Sequence, residues 1–444
     1  MISISIILLG AIAAVVHYLI NFYRHVARYP RGPIPLPIVG NYFQLKAAQI
    51  HELIPRLAEK YGPVFTLWTP VPLVILAKYE AVKEAFVTKG DDFAGRPFAN
   101  YTEDFQFCEN AGVIKSNGES WKENRRVAVS IFRDFGMGRA LMEEQVKLNI
   151  EEYLQYLDAI PDKTNVDLRW PLQYVEAFQK FLMDLSSSLI RIVALKFPWM
   201  QRLPYVSWYV AGRYAETIAL LKGYIRSNAE RAMKSYNEDA APECFVHAYA
   251  QRMGSSPHLT HPQLLANCAD FFLAGQEATT TTLRWAMLYM TAHQDVQAKV
   301  RSEILSVVGK DRLLSMADRS RLPYTAASVL EVQRVANVLQ LNVLHRTLVD
   351  TDVMGHSIPA DTYVDGDLHT IHAADPVFVD PEEFRPESLE VLVGLAVVEL
   401  FLGLASTLQH YEILPVDEEP LDLDPIPRMI LMPKPSNFRI VPVK

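Results

Sequence analysis

The chain has 444 residues, half of them hydrophobic, with 43 Lys plus Arg against 51 Asp plus Glu and a net charge of -8. That length and apolar content suffice for a large buried core, in one domain or two. The acidic balance excludes the concentrated basic face of a nucleic-acid binder, and no repeat or low-complexity tract breaks the chain.

Positions 2 to 23 carry no Lys, Arg, Asp or Glu, and about 20 apolar residues are enough to span a bilayer. Arg24, His25, Arg28 and Arg31 follow directly, so the positive-inside rule puts the body of the protein on the cytosolic side. A cleaved signal peptide would want a basic start and a small-residue cleavage site, and neither is present. Residues 1–23 therefore read as a transmembrane signal-anchor. Residues 24–41 form a basic hinge in which Pro30, Pro33, Pro35 and Pro37 make a stiff, extended connector. Residues 42–444 then form a single domain.

Past the hinge, short β-rich pieces occur at 64–68 and 73–76, and another at 438–443. Apolar residues recur at helical spacing over 141–157, 171–193, 206–233, 262–292, 294–308 and 325–339. The pattern predicts a mainly α fold with a small β part. Trp121 and Arg125 stand four apart, so an indole donor and a guanidinium fork point the same way, a pairing suited to a carboxylate; an ordinary surface pair is the competing account.

The stretch 271–285 places Ala274, Gly275, Glu277 and four threonines, Thr279 to Thr282, where continuous apolar core would be expected. Glycine inside a helix costs about 1 kcal/mol against alanine, and an unpaired carboxylate in an apolar run is costly. One account is that a flat ligand lies against the backbone, with threonine hydroxyls loosening the helix by bonding back one turn. The other is a kinked helix with a polar stripe facing solvent. Glu331 and Arg334, one turn apart among apolar residues, predict a fixed buried ion pair.

In this order and at these separations, the motifs resemble the haem-thiolate monooxygenases, the cytochrome P-450 family, and most closely its animal microsomal branch. The resemblance takes in the proline hinge up to Gly40 and Asn41, the Phe93 to Pro97 run, the Trp121–Arg125 pair and Ala274-Gly275-Gln276-Glu277. It continues through the Glu331–Arg334 pair, His345-Arg346-Thr347, Ile358-Pro359 and the run from Asp380 to Glu387. It implies haem b as the cofactor, with Trp121, Arg125 and His345 on its propionates and Ala274, Gly275, Glu277 and Thr279 on the oxygen side. The family's threonine directly after the acid is here Ala278, and a one-residue shift turns Thr279 by about 100° around the helix. The implied reaction inserts one oxygen atom into an apolar organic substrate of the xenobiotic, fatty-acid or steroid class. Electrons would come from NADPH-cytochrome reductase, with cytochrome b5 as an optional second donor, and Lys122, Arg126 and Arg133 could receive the acidic partner. The implied location is the endoplasmic reticulum membrane. No nicotinamide site is expected within the chain, because Gly136-Met137-Gly138 lacks a third glycine.

The cysteines break the pattern. There are three, Cys108, Cys244 and Cys268, without metal-ligand spacing. The resemblance puts the iron's thiolate just before a late helix starting near Gly394, which falls on Glu390, and no cysteine follows Cys268. A carboxylate would not supply the electron push that a thiolate gives for O–O cleavage, and Cys268 reads as a structural buried thiol. The Phe384 to Glu387 motif would continue into an arginine, and Ser388 stands there. These departures point to a deletion near 387–391 that removes the cysteine-ligand loop, through a skipped exon or a faulty gene model. Two functions follow: a haem-dependent monooxygenase impaired by the loss, or a haem-free relative acting as a hydrophobic-ligand-binding or structural membrane protein.

Overall fold

A computed structural model describes residues 2–45, 50–69, 71–97, 107–135, 140–168, 198–210, 212, 215–374, 380–388, 397–417, 420–426 and 430–443. In chain order its α-helices are α1 (Ile2–Val26), α2 (Ile50–Tyr61), α3 (Tyr79–Lys83), α4 (Gly118–Asp134), α5 (Ala140–Ala159), α6 (Pro204–Val210) and α7 (Ala215–Met233). They continue with α8 (Phe245–Ala250), α9 (His261–Ala292), α10 (Gln294–Val307), α11 (Pro323–Ala336), α12 (Leu368–Ala374) and α13 (Val397–His410). The strands are β1 (Val64–Trp68), β2 (Pro72–Leu76), β3 (His345–Arg346), β4 (Thr351–Val353), β5 (His356–Ile358), β6 (Tyr363–Gly366), β7 (Tyr411–Pro415), β8 (Pro425–Ile426), β9 (Met432–Pro433) and β10 (Phe438–Pro442). The chain divides into two compact units: Met1–Tyr101 with Leu182–Arg213 and Gln340–Ile371, and Thr102–Phe181 with Tyr214–Leu339 and His372–Lys444.

The first unit is built on a four-stranded sheet of order β1-β2-β6-β3. β1 and β2 are antiparallel with Phe65 opposite Ile75, and β2 runs parallel to β6. Val64, Val74, Leu76 and Val364 pack on one side with Phe93 and Val353, while Phe65, Leu67 and Ile75 meet Ile54 of α2 on the other. A sheet covered on both faces reads as continuous apolar runs; β1 and β2 do so.

The hinge departs from the extended connector its prolines predict. Its backbone reverses at Leu36, which bridges Gly40, and Ile38 and Gly40 both take positive φ, 71° and 61°. The Asn41 amide donates to the carbonyls of Pro33 and Ile34, each at 3.3 Å, and its Oδ1 accepts the Trp68 N–H at 2.9 Å. A Cβ on Gly40 would lie 2.0 Å from the Trp68 carbonyl; only glycine lets the hinge close on β1. Phe22, His25 and Tyr29 meet the Trp68 ring edge-on at centroid distances of 5.8, 5.6 and 5.4 Å. Leu8, Leu9, Ile12 and Val15 of α1 are exposed. Among the described residues no helix is long and apolar enough to cross a membrane.

The second unit packs around α9, a 32-residue helix capped by Thr260, whose side chain accepts the Gln263 N–H. Trp285 and Leu288 of α9, Val300 and Ile304 of α10, Val332 of α11, and Phe401, Leu404 and Leu408 of α13 share one buried cluster. The Trp285 indole donates to the Leu431 carbonyl at 3.0 Å. Buried Asn124 locks α4 against α8 and α9: its Oδ1 accepts the Tyr249 hydroxyl at 2.6 Å and the Asn267 amide at 2.9 Å.

Two predicted helices change length. The span 206–233 contains two helices, α6 and α7, with Gly212 between them. The span 325–339 ends at Ala336, because Asn337 is left-handed (φ 40°) and its N–H turns back to the Gln333 carbonyl. Asparagine tolerates that conformation and closes helices with it. The predicted helix over 171–193 lies outside the described residues, as do 136–139 and 389–396, including Glu390 and Gly394.

Glu331 has no exposed side-chain surface and Arg334 only 8%. Arg334 gives Glu331 two hydrogen bonds, from Nε and Nη2, both at 2.8 Å. Its guanidinium also reaches the carbonyls of Pro381 and Glu383, at 2.7 and 2.8 Å, while the Arg385 N–H donates to Glu331 Oε1 at 2.8 Å. Removing one partner leaves an uncompensated buried charge and typically costs about 3–5 kcal/mol. Arg334→Leu should therefore lower the unfolding free energy read from urea titration by an amount in that range, while the double change Glu331→Leu, Arg334→Leu recovers part of the loss. Equal losses in the single and double variants would contradict the pairing.

Candidate active site

α9 carries the residues placed on the oxygen side. The helix continues without interruption through Ala274 and Gly275, both exposed, and an added Cβ on Gly275 would meet nothing within 4 Å. Glu277 lies in α9, its side chain outside the described residues. Thr282 bonds back to the Ala278 carbonyl at 2.8 Å, one turn earlier. Thr279 does not: its hydroxyl donates to Glu399 Oε2 of α13 at 3.0 Å.

Gly275, Gln276, Thr279 and Leu283 line a cavity of about 550 Å³ with residues of α5 and α13, and neither Ala274 nor Ala278 lines it. Gly275 and Thr279 thus share a wall with Glu399 instead of a face with Ala274. Glu399 was not anticipated from sequence, although an acid in the apolar run 397–405 carries the same signal as Glu331.

Trp121 and Arg125 come together on α4. The guanidinium carbon sits 5.7 Å from the centre of the Trp121 ring, a cation–π arrangement. The indole N–H donates to the Val113 carbonyl at 3.1 Å. Arg125 is exposed, and both residues border an open cleft of about 650 Å³ with Lys122, Arg126 and Arg133. The loop before α4 is held by Asp270, also missed in sequence, whose Oδ2 accepts the N–H groups of Val113 and Ile114 at 2.7 and 2.9 Å. Burial raises the Asp270 pKa despite those donors, and burial lowers that of neighbouring Lys115.

His345 belongs to the first unit, on β3 opposite Val364. Its ring stacks on Phe86 at 4.3 Å. Burial, helped by Arg96 and opposed by the Val343 backbone, lowers its pKa to about 4. At neutral pH the imidazole is uncharged and can offer a carboxylate one N–H, not a positive charge.

Cys268 and Cys108 lean away from a thiolate role. Burial, reinforced by Cys244, pushes the Cys268 thiol up to about 12, and burial raises Cys108 as well; reactive and metal-binding thiolates require the opposite shift. Among the described residues no group of three His, Cys, Asp or Glu could hold a metal ion. Arg125 in the second unit and neutral His345 in the first can each donate to an anionic group.

A mainly helical scaffold with this order of motifs has a specific counterpart among known proteins. The family model for cytochrome P450 matches residues 30–190 and 163–388, and the chain belongs to the cytochrome P450 family. It is 29% identical to cytochrome P450 2J5 of Mus musculus over 95% of its own length and 93% of that protein. To cytochrome P450 2C21 of Canis lupus familiaris it is 30% identical, covering 96% of this chain and 97% of the relative. To cytochrome P450 2H1 of Gallus gallus it is 29% identical, covering 93% of each. The family consists of monooxygenases with a haem iron cofactor. The alignment to the mouse protein runs over 474 positions, more than the 444 residues of the chain, so that relative carries residues where this chain has none.

Because the folded pKa of His345 lies below the ordinary value of 6.5, the unfolded chain binds the extra proton between those values and stability falls as pH drops from 6.5 to about 4. His345→Phe keeps the stack on Phe86 and should make that decline shallower, read as the unfolding midpoint against pH. In the unsubstituted chain the His345 ring resonances should titrate near pH 4. A midpoint near 6.5 would contradict the burial.

Proposed function

We propose that this chain is a monooxygenase scaffold for apolar organic substrates of the xenobiotic, fatty-acid or steroid class that does not assemble the thiolate-ligated centre. One observation carries the reading: the family match ends at 388, where Ser388 replaces the expected arginine, and no cysteine follows Cys268. Residues 42–444 are taken as the catalytic domain, with the ligand loop lost near 387–391 and its cysteine position falling on Glu390. In a form retaining the loop, Trp121, Arg125 and His345 would hold the propionates, while Ala274, Gly275, Glu277 and Thr279 would border the oxygen side. Electrons would arrive from NADPH-cytochrome reductase, with cytochrome b5 as a second donor.

The purified chain, reconstituted with haem and reduced under carbon monoxide, should lack the thiolate-type absorption band. Replacing 388–396 by the corresponding segment of the mouse relative should restore it. A thiolate band from the unaltered chain would end this reading, and so would a message in which codons 387 and 388 are contiguous yet the product hydroxylates substrate at an ordinary rate.

The second reading, a haem-free protein that binds apolar molecules, is favoured by the cavity beside Gln276. Both readings share a membrane anchor at the endoplasmic reticulum with the catalytic domain on the cytosolic side. What supports the anchor is the stretch 2–23, which carries no Lys, Arg, Asp or Glu and is followed by Arg24, Arg28 and Arg31. Removing residues 2–23 should shift the chain from vesicle-bound to soluble in a flotation assay; retention on vesicles would show that the anchor lies elsewhere.

A further inference from the structure

The cavity bounded by α5, α9 and α13 lies wholly within the second unit. Its apolar wall is Ile150 and Tyr153 from α5 with Phe271, Leu283 and Met287 from α9. Its volume of about 550 Å³ falls inside the range of about 300–1,000 Å³ common to small-molecule sites. Two glycines thin the walls, Gly275 and Gly403; a side chain on Gly275 would grow into open space.

The polar groups narrow the ligand class. Gln276 Oε1 is buried and accepts no hydrogen bond, a state that native structures rarely leave unexplained. Glu399 accepts the Thr279 hydroxyl on the same wall. The unpartnered Gln276 carbonyl calls for a donor, and because Arg284, which donates to the Pro433 carbonyl at 3.5 Å, lines the cavity together with Glu399, no net charge there favours an ionic head. A neutral hydroxyl on an apolar body meets both conditions.

We propose that this cavity binds an apolar alcohol, its hydroxyl donating to Gln276 Oε1 and its hydrocarbon body lying along Ile150, Phe271, Leu283 and Met287. The proposal deepens the haem-free reading. The cavity shares Gly275 and Thr279 with the residues assigned to the oxygen side, while Ala274 lies off it, and its occupancy does not require haem.

The test uses the full chain, purified without added haem, with thermal unfolding followed against dodecanol, dodecane and dodecanoate. A ligand that binds only the folded state raises the unfolding temperature in a saturable way. Dodecanol should do so, dodecane more weakly, and dodecanoate least. Gln276→Leu should reduce the dodecanol shift to that of dodecane, corresponding to roughly tenfold weaker binding for one lost hydrogen bond. Gly275→Leu, which favours the helix while filling the space, should abolish both shifts without lowering the basal unfolding temperature. The proposal fails if dodecanol gives no saturable shift, if dodecane or dodecanoate matches it, or if Gly275→Leu retains the full response. Haem absorbance on the same samples bears on the thiolate question alone, so the two readings fail separately.

Discussion

A carboxylate with no solvent exposure governs the late part of the second unit. Glu331 takes two hydrogen bonds from Arg334 and one from the Arg385 N–H, while Arg334 extends to the Pro381 and Glu383 carbonyls. A buried pair is weak evidence for added stability over an apolar replacement. Its effect here is selective: it allows one arrangement of 381–385 against α11, because every other arrangement leaves charge unpaired. The segment that immediately precedes 388 is therefore held in place against α11.

The same pair shows why part of the site could be read from residue order. Two opposite charges one turn apart in an apolar run have few other destinations. Asp270 and Glu399 carry the same local signal, but their partners lie far along the chain: Val113 and Ile114 for one, Thr279 for the other. Asn124 is likewise paired over 125 residues with Tyr249 and over 143 with Asn267. Spacing cannot report such pairs. Long amphipathic spans such as α9 and α10 were legible because period and burial agree over many turns. The errors fell over 206–233, which α6 and α7 divide, and at left-handed Asn337, where one residue overrode the period. The hinge failed for a related reason: four prolines stiffen a chain, but Gly40 and Asn41 decide where it folds back.

The threonine stripe on α9 illustrates a site whose residues were visible and whose geometry was not. Counting around the helix separates Thr279 from Ala274, yet nothing local says what Thr279 meets. The fold supplies Glu399, and with it a polar wall to a cavity that is otherwise apolar. Thr282, three residues on, keeps the local option and returns its hydroxyl to Ala278. Identical side chains thus divide between a tertiary and a local bond according to what packs opposite them.

The intact buried contacts bear on the proposed loss of the ligand loop, for which they favour a single event over slow decay. Drift under relaxed selection would scatter substitutions through buried polar groups, where each costs most. Glu331, Arg334 and Asn124 instead keep complete hydrogen-bond sets, α9 keeps its Thr260 cap, and the family match is sustained up to 388. Burial drives two of the three thiols, Cys268 and Cys108, away from the thiolate form. On the reading proposed above, a chain that lost one loop while retaining the contacts that fold the rest would remain a folded scaffold, and its function would come from surfaces and cavities that the loop never formed.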